Sequence, residues 1–190
     1  TCDTMNLKSS RPSSRSGTLK RVAFKDEEEG PPLARAVLAP ALLREAGADV
    51  HILHATDSAP RDLKYAWRSG FATRNGYLSA RRAEVMAVLA RAGIAEDRYH
   101  CLGLADQEAP VYWPRIREYV EGFGAERVYT HAYEGGHPDH DAVAFALAGL
   151  GNVWEFPLYH AQGADFVPCT FLEGGAETVV ELDAAAQREK

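Results

Sequence analysis

Cysteine, methionine and tryptophan are scarce in this chain: three, two and three among 190 residues. Cys2, Cys101 and Cys169 are odd in number and far apart, which speaks against a disulfide framework and against a zinc ribbon, and makes a reducing, cytoplasmic setting the expectation. No apolar run comes near the ~20 residues that a membrane-spanning helix needs. No secretory apolar core stands near the N-terminus. Basic charge is in short supply too. The 21 Lys and Arg face 27 Asp and Glu, a formal charge of −6, which argues against a general nucleic-acid binder. A Gly-x-Gly-x-x-Gly phosphate loop after a strand is also missing; Gly122-Phe123-Gly124 ends a helical stretch instead. A nucleotide-binding Rossmann domain therefore has little to rest on.

The remaining composition is that of an ordinary globular chain, 46% hydrophobic and 25% charged, long enough for one domain with a real core. Residues 1–20 differ from the rest. Lys8 to Gly17 is basic, serine-rich and almost free of large apolar groups, so this segment is expected to be a disordered tail, with a single domain over 21–190. Along that domain strand-like and helix-like runs alternate. Arg21 to Phe24 is a strand candidate, and Leu33 to Ala46 a helix that Pro40 should kink. Asp49 to His54 reads as a strand and Ser79 to Ala92 as an amphipathic helix. Tyr99 to Leu102 is a strand, Trp113 to Phe123 a helix and Arg127 to Thr130 a strand. Asp139 to Leu150 is a helix, Val153 to Leu158 a strand and Thr178 to Leu182 a late strand. The alternation predicts an α/β fold, Rossmann-like, with a mostly parallel sheet covered by helices on both faces. The last residues begin a helix, so the domain reads as truncated at its C-terminal end.

Three of the seven histidines, His131, His137 and His140, fall in one run of ten residues. Glu134, Gly135, Gly136, Pro138 and Asp139 are threaded between them. The run lies between a strand pattern and a helix pattern, at the carboxyl end of a strand, where ligands gather in open α/β sheets. Imidazole is the commonest metal ligand and carries protons near neutral pH. Taken alone, the same loop is explained by a helix cap at Asp139 or Asp141 and exposed histidines. The glycines, acids and third histidine tilt the reading toward a site. Other strand ends carry further polar groups: Asp26 and Glu27, then His54, Thr56 and Asp57, then Asp106. Acids and imidazoles converging from separate loops suit a borderline divalent metal such as zinc. His51 and His54 stand three apart in a strand and so face opposite ways.

With Gly136-His137-Pro138-Asp139-His140 in place, the chain resembles the LmbE/PIG-L family of metal-dependent N-acetylglucosaminyl deacetylases over residues 21–190. Val50 to Asp57, Ala80 to Glu84, Leu102 to Asp106 and Glu155 to His160 match further family segments in order. The resemblance implies hydrolytic removal of the N-acetyl group from an N-acetylated amino sugar or its conjugate, with Zn2+ or another divalent metal as cofactor. His140 would be a metal ligand. His137 would assist the tetrahedral intermediate, and Asp139 would orient an imidazole. Arg81 and Asp106 would bind sugar hydroxyls. A small-molecule substrate is implied, without nucleic acid or a membrane span; an oligomer stays open.

The first strand departs from the family pattern, H-P-D-D-E. Aligning Glu27 and Gly30 with the family's E-x-x-G puts Ala23 at the metal-binding His, Phe24 at the Pro and Lys25 at the general base. Asp26 survives as a metal ligand, with His140, and His131 is the candidate to complete the set. An alanine cannot bind a metal, and an ammonium cannot accept a proton. The alternative is therefore a catalytically impaired member that still binds a sugar. On this alignment, restoring His at 23 and Asp at 25 should raise zinc occupancy.

Overall fold

The structure is a computed structural model that describes residues 3–7, 20–25, 44, 47–163, 165–168, 170–172 and 178–181. Seven strands form one sheet: β1 (Asp3–Leu7), β2 (Lys20–Lys25), β3 (Val50–Thr56), β4 (Tyr99–Leu104), β5 (Arg127–His131), β6 (Val153–Phe156) and β9 (Thr178–Glu181), in the order β4-β3-β1-β5-β6-β2-β9. A separate hairpin pairs β7 (Tyr159–Gln162) with β8 (Asp165–Pro168). Four α-helices and a short 3-10 turn (Glu96–Arg98) complete the described elements: α1 (Lys64–Arg68), α2 (Arg74–Arg91), α3 (Ala109–Phe123) and α4 (Pro138–Leu147). The fold is mixed α/β, and β3–β4, β5–β6, β6–β2 and β2–β9 are parallel pairs.

β1 lies within residues 1–20. Asp3–Leu7 pairs antiparallel with both β3 and β5, with Asp3 opposite His54 and Thr4 opposite Thr130. Without it β3 and β5 would each present an unpaired backbone edge. The predicted helix from Leu33 to Ala46 lies mostly outside the described residues, as does Asp26.

β3 shows why the sheet is buried. Its seven residues, VHILHAT, are all buried, as in a strand covered on both faces. Successive side chains point to opposite faces. Leu53 and Ala55 join Ile116 and Val120 of α3 and Val143 and Leu147 of α4 in one core cluster. Val50 and Ile52 join Leu89 of α2, with Ala92 and Ile94, in the other. His51 and His54 follow the same alternation: His51 stacks on His100 and meets Phe123, while His54 meets Tyr99.

The helix ends follow local chemistry. α2 begins five residues before the expected Ser79, because Thr73 Oγ1 accepts the N–H of Gly76 at 3.1 Å and caps it. α3 begins before the expected Trp113, with Pro110 in its first turn, and Tyr112 leaves helical geometry ahead of Pro114. Gly124 ends it at φ +69, a left-handed position that favours glycine. No helix among the described residues is long and apolar enough to cross a membrane.

Candidate active site

The carboxyl ends of β3, β4 and β5 share one rim, and backbone hydrogen bonds stitch their loops together. Asp57 N–H donates to the Leu104 carbonyl at 2.7 Å, and Asp106 N–H to the Ala59 carbonyl at 3.2 Å. Arg74 holds the loop after β3 from the start of α2. Its Nη2 donates to Asp57 Oδ2 at 2.6 Å and to the Ala59 carbonyl at 2.7 Å.

Asp139 ties the start of α4 to the start of α3. Its Oδ2 accepts the N–H of Gln107 at 2.7 Å and its Oδ1 the N–H of Ala109 at 3.0 Å. α3 has no side-chain cap of its own, so Asp139 satisfies one of its orphan N–H groups from the neighbouring helix. Both carboxylate oxygens thus receive backbone N–H groups. His137 caps α4 itself: its Nδ1 accepts the N–H of Asp139 at 3.3 Å. With Nδ1 an acceptor, the neutral ring carries its proton on Nε2.

Asp106, His137 and Asp139 each offer a ligand atom within 4.8 Å of the others. Burial raises the pKa of Asp106, and the nearby charge and hydrogen bond of Asp139 raise it further. The two carboxyls thus compete for negative charge unless a proton or a cation sits between them.

His140 stands beside this group, 4% exposed, its ring centroid 4.8 Å from His137 and 4.7 Å from His131. Its Nδ1 is buried with no hydrogen-bond partner among the described residues. Burial, then the neighbouring His131 and His137, push its pKa down to about 2, so the imidazole is neutral across the physiological range. A neutral imidazole with an unpaired buried nitrogen is the form that binds a metal. His131 is fully buried, and its Nε2–H donates to the His140 carbonyl at 2.8 Å, which leaves Nδ1 as its lone-pair nitrogen.

Other expected residues stand apart. Arg81 is half-buried on α2, where its guanidinium pairs with Glu84. It lines a cleft with His54, Asp57, Arg82, Tyr99 and Cys101. His54, expected on the rim with the other imidazoles, lines that cleft and meets the Tyr99 hydroxyl at 3.1 Å. Glu134 and Tyr159 were missed. Glu134 is buried in the loop after β5, and the Tyr159 ring stands edge-on to His140 with centroids 5.5 Å apart. The acid inside the His131–His137 run was the available signal for Glu134, and the family-matching segment Glu155 to His160 was the signal for Tyr159.

A family model described as GlcNAc-PI de-N-acetylase (PIG-L) matches residues 37–149, more than half of the chain. The chain belongs to the PIG-L family. The matched span runs from before β3 to just past α4 and takes in the whole histidine loop; it begins after the first-strand segment in which the family pattern is lost. No curated protein and no solved structure matches this chain.

Proposed function

We propose that this PIG-L domain is a metal-dependent hydrolase that removes the N-acetyl group from a small-molecule amino sugar of the GlcNAc type or its conjugate. The observation that carries the reading is the buried, unpartnered Nδ1 of His140 beside His131 and His137 in a family-matched loop. On this reading the sheet extends as a Rossmann-like layer with its ligand at the rim of β3, β4 and β5. His140 and His131 are the chain's donors to a zinc-class ion, and Asp26 is the carboxylate ligand implied by the family pattern. Such an ion supplies a Lewis acid for the amide carbonyl and a source of nucleophilic water near neutral pH.

The chain's own groups then divide the remaining work. His137 holds a proton on Nε2, so it can donate to the oxygen that gains charge, or to the departing amine. Asp139 fixes the loop that carries His137 by gripping α3. Asp106, with its raised affinity for protons, meets sugar hydroxyls as donor or acceptor. Arg81 offers directed donors from the adjoining cleft. The Asp106–His137–Asp139 group is a second candidate for the cation, on the strength of its 4.8 Å spacing. Two helix N-termini and the proton on His137 Nε2 make it the poorer cation site.

Ala23 and Lys25 at the motif positions favour a second reading, a sugar-binding domain with impaired chemistry. Acetate release from N-acetylglucosamine conjugates separates the two. The full chain, loaded with zinc and freed of excess metal, should release acetate, and chelation should stop it. Stoichiometric zinc without acetate release would leave only the binding reading. A chain that takes up no zinc at all would overturn the metal-dependent proposal.

A further inference from the structure

The loop that carries the site histidines contains an acid with no part in the proposed reaction. Glu134 is 3% exposed. Its Oε1 accepts the N–H of Leu158 at 2.5 Å, and its Oε2 is buried with no hydrogen-bond partner among the described residues. Burial pushes its pKa up to about 7; the N–H groups of Tyr159 and Leu158 pull the other way, and the charge of Asp141 adds to the rise. The acid's own backbone is anchored, because the N–H groups of Glu134 and Gly135 donate to Asp141 Oδ1 at 3.0 and 2.9 Å. Glu134 therefore bolts the β5–α4 loop to the chain between β6 and β7.

Tyr159 lies at the far side of that bolt. Its ring edge faces His140, and a Cβ on Gly136 would come within 3.6 Å of it. The ring is thus held between the glycine pair of the loop and a histidine at the start of α4. Its backbone is fixed at the point where Glu134 grips the chain.

We propose that Glu134 is a positioning residue: its buried carboxyl fixes the backbone at Leu158 and Tyr159 and so seats the Tyr159 ring against His140. What the seated histidine does rests on the function proposed above, but the seating does not. Groups that orient a metal-binding imidazole typically change metal affinity by ~10- to 100-fold when removed.

The test reads His140 directly in the metal-free full-length chain. The Tyr159 ring shifts the His140 ring resonances in aromatic 1H–13C spectra, and Y159A defines the position without it. E134A should move those resonances most of the way to the Y159A position. E134Q, whose carbonyl still accepts the N–H of Leu158, should leave them near wild type. Adding E134A to Y159A should change nothing further. Zinc affinity should fall ~10-fold in E134A and far less in E134Q. Should E134A fail to fold, E134D takes its place, since it withdraws the acceptor by one methylene while keeping the charge. Unmoved His140 resonances in E134A or E134D, an E134Q variant as disturbed as E134A, or additive effects in the double variant each overturn the proposal. Absence of zinc binding or acetate release, with the His140 signals responding as described, would instead count against the proposed function alone.

Discussion

Removing the Asp139 carboxylate should cost more stability than any other polar change at the site. The side chain is 1% exposed and accepts two backbone N–H groups, from Gln107 at 2.7 Å and Ala109 at 3.0 Å. Ala109 is fully buried, so in Asp139→Ala its N–H finds neither acceptor nor water, a loss of about 1–3 kcal/mol. Gln107 is exposed, so its N–H turns to water and the loss there is nearer ~1 kcal/mol. One effect opposes these: Asp106 is freed of the charge that raises its pKa. The two losses together come to about 2–4 kcal/mol, less what Asp106 regains, a large share of the ~5–15 kcal/mol that holds a typical domain. Urea unfolding at pH 7, followed by far-ultraviolet circular dichroism, reads it as a lower midpoint at unchanged slope. Asp139→Asn keeps one acceptor oxygen and should fall between wild type and the alanine variant. A loss below ~1 kcal/mol in the alanine variant would show that the two bonds do not hold the start of α3, and the capping argument would fail.

The pH dependence of stability tests Glu134. Its pKa rises from 4.5 to about 7 on folding, so its support is complete below about 4.5 and is lost as pH climbs toward 7. Glu134→Gln should therefore gain on wild type by up to about 3 kcal/mol between pH 5 and 8, measured by urea melts; a constant gap would refute the shift. His140→Ala should abolish zinc uptake measured by competition with a chromophoric chelator. His137→Ala should keep the metal and lower turnover by ~10²–10⁴, and equal metal loss in both would overturn the division of roles. The double change A23H/K25D should raise zinc affinity, as the alignment implies, measured by the same chelator competition; an unchanged affinity would show that the end of β2 does not contribute to the site.

The parts legible in the sequence were those with a strong local signal. β3, β4, β5 and α4 were read within a few residues because periodicity and flanking glycines mark them. The histidine loop was read as a site because ligand-type residues are dense there. The parts that escaped depend on contacts between distant segments. α3 was started at Trp113 rather than Ala109; Pro110 in its first turn gives up only an N–H that is orphaned anyway. The hold of Asp139 on the 107–109 backbone was not foreseen, because that backbone comes beside it only through the packing of α3 on α4. β1 escaped because five residues with little apolar character become a strand only when two neighbours lack a partner between them.

β1 also changes how the lost first-strand motif should be understood. Family alignment places the motif at the end of β2, and β2 runs parallel to β6, which runs parallel to β5. The carboxyl end of β2 therefore opens on the same rim as His131, but β6 stands between them. Two strand spacings separate β2 from β5, about 9–10 Å, so side chains at the end of β2 and His131 reach a shared zinc only by turning toward each other across the end of β6. The place directly beside β5 is held by β1, running the opposite way, with Asp3 at the rim end of its register. With β6 between it and His131, β2 offers the site only what extends past its carboxyl end, where Asp26 follows in the sequence, and the rest of the proposed chemistry falls to the loop between β5 and α4.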